Sequence, residues 1–275
     1  MTVIAMTREM GSLGKDVAAG LADEMELEVV HHELVERHLA ERLALGESAV
    51  HLFLEGKPSL WERWKIDPAR LSRLTSEEVL LLAKRGNVVI RGWGAAQLLR
   101  HVSHVVCVRV CAPMPNRIAV IQERMGIPDR RAAEREIERN DDAHSRAIQR
   151  QFGEDWRSPL NYDIVLNTGF VPVETCVALV RQLAESPSHR ETDASRGALA
   201  DKLIEARVRT IVDADVSDNP MGSGLDITVV TGKVTLSGVT GGSGTLKGPM
   251  EKIAGIEGVV SVEENVLRVN QRYGV

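Results

Sequence analysis

Two rhythms of apolar residues run along the chain. Short runs rich in β-branched residues lie at 2–6, 28–30, 87–90, 104–110 and 162–169. Between them apolar positions return every three or four residues, as at Val17, Ala18, Leu21, Ala22 and Met25, at Leu34, Val35, Leu39 and Leu43, and at Ile118, Ile121 and Met125. The first rhythm is that of strands covered on both faces, and the second is that of amphipathic helices. Four or five hydrophobic strands alternating with helices predict a parallel α/β sheet. Thr75 with Glu78 three residues later reads as a capping box that opens a helix ending at Gly86, and residues 172–183 read as the closing helix.

The rhythm stops over 185–197, a polar stretch read as a linker between a first domain, 1–184, and a second, 198–275. The second domain opens with a helix through Leu199, Leu203, Ile204, Val208 and Ile211. Two strands joined at Thr231 and Gly232 follow, then a helix over 246–254 and a last strand over 266–269. The Gly241, Gly242 and Gly244 run reads as a flexible connection, because no buried strand precedes it and no lysine follows.

Length permits two cores in 275 residues, and aromatic residues are only 3% of them, so aliphatic side chains must supply the burial. The net charge of -5 gives no general field toward nucleic acid or anionic lipid. Cys107, Cys111 and Cys176 form no C-x-x-C pair and read as small buried hydrophobes, which fits a reducing cytoplasm. No signal peptide and no membrane-spanning run is expected.

Candidate chemistry begins at the first turn. The run from Thr7 to Val17 carries Gly11 and Gly14 three apart and then Lys15, at the point where a strand gives way to a helix. Amides at a helix N-terminus lack intrahelical partners and attract anions, so the turn is a phosphate cradle or else a glycine-rich turn with a solvated lysine. A standard phosphate loop has glycine and a hydroxyl where this chain has Glu9 and Asp16. Arg91 ends the strand over 87–90 and is read either as a bidentate phosphate ligand or as an arginine tying two loops. The helix over 130–150 is a solvated, ion-paired surface or a lid. His31, His32 and Glu33 lack zinc spacing and read as pocket-mouth or helix-start residues. Trp61 and Trp64 belong to a helical hairpin or flap over 46–74 and are expected to pack inward, with base stacking the minority alternative.

Residues 1 to about 184 resemble the cytidylate-kinase-like family of P-loop nucleoside monophosphate kinases. The motifs are Thr7-Arg8-Glu9-Met10-Gly11-Ser12-Leu13-Gly14, Val89-Ile90-Arg91-Gly92-Trp93-Gly94-Ala95, Arg117 after Pro113 and Pro115, and Tyr162-Asp163-Ile164-Val165-Leu166-Asn167-Thr168. The resemblance implies a three-layer α/β fold, ATP and Mg²⁺, and phosphoryl transfer to a nucleoside monophosphate, with a CMP-type acceptor favoured. It implies that Arg8, Gly11, Ser12, Leu13, Gly14, Lys15 and Asp16 hold the donor phosphates, and that Ser12 or Asp16 meets the metal. Arg117, Asn167 and Thr168 would border the adenine. Arg91, with His31, His32 and Glu33, would take the acceptor, and Arg130, Arg131, Arg146 and Arg150 would close from the lid. His144 stands where a lid arginine is usual. Residues 197 to about 270 are similar to a BON domain, on Gly232-Lys233-Val234-Thr235-Leu236-Ser237-Gly238 and Ile256-Glu257-Gly258-Val259-Val260-Ser261-Val262. That implies a small α/β module with a small-molecule or phospholipid ligand. A nucleotide-binding sensor without transfer is the competing class.

Overall fold

The computed structural model describes residues 1–30, 32–43, 45–46, 48, 50, 68–217, 225–241 and 246–269. His31, Trp61, Trp64, Gly242 and Gly244 lie outside the described residues, as do the side chains of His32 and Glu33. The chain divides into two compact units, Met1–Thr192 and Asp193–Val275.

The first unit is built on β1 (Val3–Arg8), β2 (Glu28–Val30), β3 (Val88–Arg91), β4 (Val105–Cys111) and β5 (Ile164–Asn167), all parallel in the order β2-β3-β1-β4-β5. Its helices are α1 (Gly14–Met25), α2 (His32–Leu43), α3 (Pro68–Arg85), α4 (Ala95–Leu99), α5 (Met114–Met125), α6 (Arg130–Phe152) and α7 (Val173–Ala184). Ile4, Met6, Val106, Val108 and Val110 fill one face of the sheet against Val17 and Leu21 of α1 and Val177 and Val180 of α7. Each such aliphatic side chain contributes about 1.5–3 kcal/mol by leaving water. Gly20 permits the close approach of α1 to α7, since a Cβ there would lie 2.7 Å from Val177. Alternation turns Arg109 away from that core, toward the opposite face.

Met6 of β1 lies opposite Arg91 of β3 and Val108 of β4, so β3 ends two residues short of β1, and all three strands direct their carboxyl ends to one edge of the sheet. Chain order reverses around β1 here, and open α/β sheets hold ligands at such carboxyl edges.

One boundary requires correction. Thr75 and Glu78 lie inside α3, which already begins at Pro68. The Thr75 hydroxyl donates back to the Leu71 carbonyl at 2.8 Å, and the Ser76 hydroxyl to Ser72 at 3.0 Å. Glu78 meets His38 of α2 and Glu77 meets Arg42, each at 2.6 Å. The apparent capping box is thus a helix interior whose acids serve helix packing. Gly86, with φ 73°, does end this helix.

The second unit consists of α8 (Asp193–Ser217), β6 (Leu225–Val230), β7 (Lys233–Gly241), α9 (Lys247–Ala254) and β8 (Ser261–Val269). Strands β6 and β7 pair antiparallel, and β7 and β8 parallel. Its core joins Ile204, Val208 and Val212 to Ile227, Val234, Leu236 and Ile253. Helix α8 takes in residues 193–197 of the expected linker, where Ser195 is buried. Strand β8 starts at Ser261, ahead of the expected 266, because it pairs along the whole of β7.

Candidate functional site

Between β1 and α1 the backbone enters the left-handed region at Gly11, φ 80°, and at Leu13, φ 57° and ψ 16°. The Ser12 amide turns inward to the Glu9 carbonyl at 3.2 Å, while its hydroxyl donates to Glu9 at 2.8 Å and Val110 at 3.1 Å. The amides of Gly11, Leu13 and Gly14 make no hydrogen bond among the described residues. An open row of N–H groups at the start of a 12-residue helix is a nest for anionic oxygen. Both glycines are sterically required. A Cβ on Gly11 would fall 2.7 Å from the Arg117 carbonyl oxygen, and one on Gly14 would fall 2.7 Å from the Arg8 Cβ.

Positive charge gathers at this edge. The Arg8 side chain makes no hydrogen bond or ion pair among the described residues, and its guanidinium is pushed down to about 10 by burial and by the like charges of Arg91 and Arg124. Arg91 is buried at the end of β3, and Lys15 is exposed at the start of α1. Arg124 of α5 donates to Asp16 Oδ1 at 2.7 Å. The other carboxylate oxygen, Asp16 Oδ2, is buried without a partner. A lone carboxylate oxygen beside a phosphate nest fits Mg²⁺, which takes one or two carboxylates together with phosphate oxygens and water. The Ser12 hydroxyl is the weaker candidate, because it is buried and turned to the Glu9 and Val110 carbonyls.

A chain of ion pairs fixes the loop from behind. Glu9 accepts from Arg109 at 2.7 Å and from the Ala112 amide at 3.2 Å, and it lies 3.6 Å from Arg117. Arg117 grips both carboxylate oxygens of Asp141 on α6 and donates through Nε to the Met10 carbonyl at 2.7 Å. The residue expected beside adenine is therefore a buried strut, its donors directed at protein oxygens. Thr168 likewise donates to Ser12 O at 2.8 Å, and the Asn167 side chain accepts from the Gly169 amide at 3.0 Å, so both hold backbone turns.

Helix α6 turns Ala133, Ile137, Asp141, His144 and Ile148 inward at helical spacing. Its C-terminal part overhangs the loop after β3, where a Cβ on Gly94 would fall 2.4 Å from the Phe152 ring. His144 meets Trp156 edge-on, with ring centroids 4.4 Å apart, and its Nε2 is buried without a partner. Burial lowers its pKa to about 4; Asp141 opposes that shift, and Arg8 and Arg157 add to it. Arg130, Arg131, Arg146 and Arg150 are all exposed. Arg130 and Arg146 are separated by about 24 Å along a helix rising 1.5 Å per residue, so they cannot share one transferring group in this arrangement.

Sequence reading passed over the bracing roles of Glu9, Arg109, Asp141 and Trp156, and the pairing of Arg124. The signal for Asp141 lay in periodicity, as a charged residue on an otherwise apolar helical stripe. Arg109 likewise interrupts a buried strand. Trp156, buried under Arg109 and Arg157 at 5.4 and 5.5 Å, carried no comparable signal.

The sequence profile described as the cytidylate kinase-like family matches residues 3–169. A cytidylate kinase of Pyrobaculum aerophilum is 26% identical over 179 residues, covering 65% of this chain and 90% of that protein. A cytidylate kinase of Pyrobaculum arsenaticum is 23% identical over 182 residues, with coverage of 65% and 90%. The crystal structure of an uncharacterized protein from Eubacterium ventriosum superposes with a TM-score of 0.54 at 18% identity, over 68% of this chain and 99% of the other, a likeness of fold. Among the described residues no helix is long and apolar enough to cross a membrane.

Proposed function

We propose, from the premise that this chain belongs to the cytidylate kinase-like family, that its first unit transfers a phosphoryl group from ATP to a nucleoside monophosphate, with CMP-type acceptors favoured. The observation that carries this reading is the row of amides at Gly11, Leu13 and Gly14 beside the guanidinium of Arg8, none of which has a partner among the described residues. Open N–H donors set among cations favour multiply charged phosphate.

Phosphoryl transfer asks little covalent work of a protein, so catalysis consists of alignment and charge neutralisation. The nest and Arg8 would hold the donor's phosphates, with Lys15 reaching over them from the first turn of α1. Arg91, at the end of the neighbouring strand, would orient the acceptor phosphate. Asp16 would hold Mg²⁺ through Oδ2; the metal, when bound, neutralises phosphate oxygens. Glu9, Arg117 and Asp141 keep the loop in shape and do not touch substrate. Of the lid arginines, Arg146 and Arg150 are the better candidates, because they share the half of α6 that carries His144 and overhangs the loop after β3. His31, His32 and Glu33 remain our assignment for the acceptor side, and the cytoplasm our assignment of compartment.

For the second unit we propose a BON module that binds a small molecule or phospholipid or positions the kinase. Its helix-strand-strand-helix-strand order and mixed sheet support that reading.

The test is ADP release in a coupled assay with CMP, UMP, AMP and dCMP as acceptors. Turnover well above the ATP-only background with at least one of them is expected. Tight ATP binding without turnover for any acceptor would instead favour a nucleotide-binding sensor. The commitment of the Ser12 hydroxyl and the neutral His144 on the lid both lean toward that second reading.

A further inference from the structure

Arg8 is the last residue of β1, and its stem lies across Gly14, the first residue of α1. A Cβ built on Gly14 would fall 2.7 Å from the Arg8 Cβ and 3.1 Å from its Cδ. The stem of a cation is thereby laid on the positive end of a helix dipole, a neighbourhood unfavourable to its charge. Its charged neighbours aggravate this. Arg91 and Arg124 repel it, and the acids nearby are directed elsewhere: Glu9 to Arg109 and Arg117, Asp16 to Arg124, and Asp141 to Arg117 and Arg157. Around this edge the structure matches cation to carboxylate again and again, yet Arg8 has no such match among the described residues. Burial removes much of the water that would otherwise compensate it.

A partly buried guanidinium held against a helix N-terminus, without a counterion, destabilises the ligand-free protein and stabilises any complex that supplies an anion. Lys15 is differently situated, since it is exposed and screened by solvent. A planar fork is also better suited than an ammonium to two oxygens of one phosphate.

We propose that Arg8, rather than Lys15, is the principal phosphate-binding cation of the loop, and that it is held uncompensated in the free protein so that a polyphosphate completes its pairing. The proposal rests on the nucleotide-binding reading above and assigns the order of importance within that site.

Arg8→Met retains the stem over Gly14 and deletes the charge. Full-length wild type, Arg8→Met, Arg8→Lys and Lys15→Met are titrated calorimetrically with ATP and with inorganic tripolyphosphate. Each is also melted without ligand while tryptophan fluorescence is followed; all four tryptophans lie between residues 61 and 156 and report the first unit alone. Arg8→Met should weaken both anions by about 10- to 100-fold, the scale of a lost charge-assisted contact. Its ligand-free melting temperature should be unchanged or higher by about 2–4 °C. Arg8→Lys should bind at intermediate strength, and Lys15→Met should lose less than Arg8→Met. Binding by Arg8→Met within about twofold of wild type overturns the proposal. So does a greater loss in Lys15→Met, or a lower ligand-free melting temperature in Arg8→Met, which would mark a structural strut. If wild type binds neither anion, the nucleotide-binding reading itself fails, an outcome distinct from a variant that binds like wild type.

Discussion

Arg117 and Asp141 face each other through two hydrogen bonds, 2.9 and 2.8 Å long, with both side chains buried, and the same guanidinium donates to the Met10 carbonyl. The pair joins α6 to the backbone of the phosphate loop. Removing one partner of a buried pair strands the other charge, which costs about 3–5 kcal/mol. Asp141→Asn should therefore lower the unfolding free energy of the first unit by at least about 2 kcal/mol, since Glu9 at 3.6 Å offsets part of the loss. Urea denaturation read by tryptophan fluorescence measures it, and a change below about 0.5 kcal/mol would dismiss the strut.

The parallel sheet was legible because its strands are covered on both faces and read as apolar runs, and β2 was bounded to the residue. The glycine turn was legible too, since Gly11 and Gly14 mark a backbone that must approach something closely. What it approaches was not. The crowding of Gly11 by the Arg117 carbonyl and of Gly14 by Arg8 is tertiary, joining residues far apart in sequence or folded back over a turn. Thr75 misled for a related reason. A hydroxyl followed by an acid three residues on suits a helix start, but it also suits a helix interior whose acids meet Arg42 and His38 across a helix pair. The duties of Arg117, Asn167 and Thr168 depend on which polar backbone and side-chain atoms lie within hydrogen-bond reach, and no local pattern carries that information.

Gly11 is the position where the loop is least tolerant. Gly11→Ala would place a Cβ 2.7 Å from a backbone oxygen at a φ of 80°. Left-handed strain adds about 1–2 kcal/mol, and the clash cannot be relieved by turning a side chain. The loop must then shift and open the nest, so ATP affinity should fall at least about tenfold while the second unit is unaffected. Calorimetric titration measures this. Affinity equal to wild type would mean that the loop amides do not hold the nucleotide.

His144 makes the first unit sensitive to acid. In the folded protein its imidazole takes a proton only near a pH of about 4, whereas in an unfolded chain it does so near ~6.5. Between those values the unfolded state binds a proton that the folded state does not, so stability falls as pH drops from neutrality toward 4. Above the unfolded value the two states hold the same number and the effect vanishes. Replacing His144 by Phe keeps a ring against Trp156 and removes the titration. The denaturant midpoint of that variant should decline less than wild type between about pH 6.5 and about pH 4, the window set by the unfolded and folded values, and should behave like wild type above it. Parallel profiles would remove His144 as the cause.

In the second unit the hairpin between β6 and β7 turns through Thr231, φ 50°, and Gly232, φ 75°. Their amides donate to the two carboxylate oxygens of Asp201 at 2.7 and 2.8 Å. A turn with consecutive left-handed residues points adjacent N–H groups at one spot, and here α8 supplies the anion from within. Asp201→Ala would leave both donors to water and free the hairpin end from α8, at a cost of about 1–3 kcal/mol. Amide hydrogen exchange reports it directly. Thr231 and Gly232 should lose protection in the variant while the amides of β1 and β4 keep theirs. Unaltered exchange at these two residues would show that the carboxylate does not hold the turn.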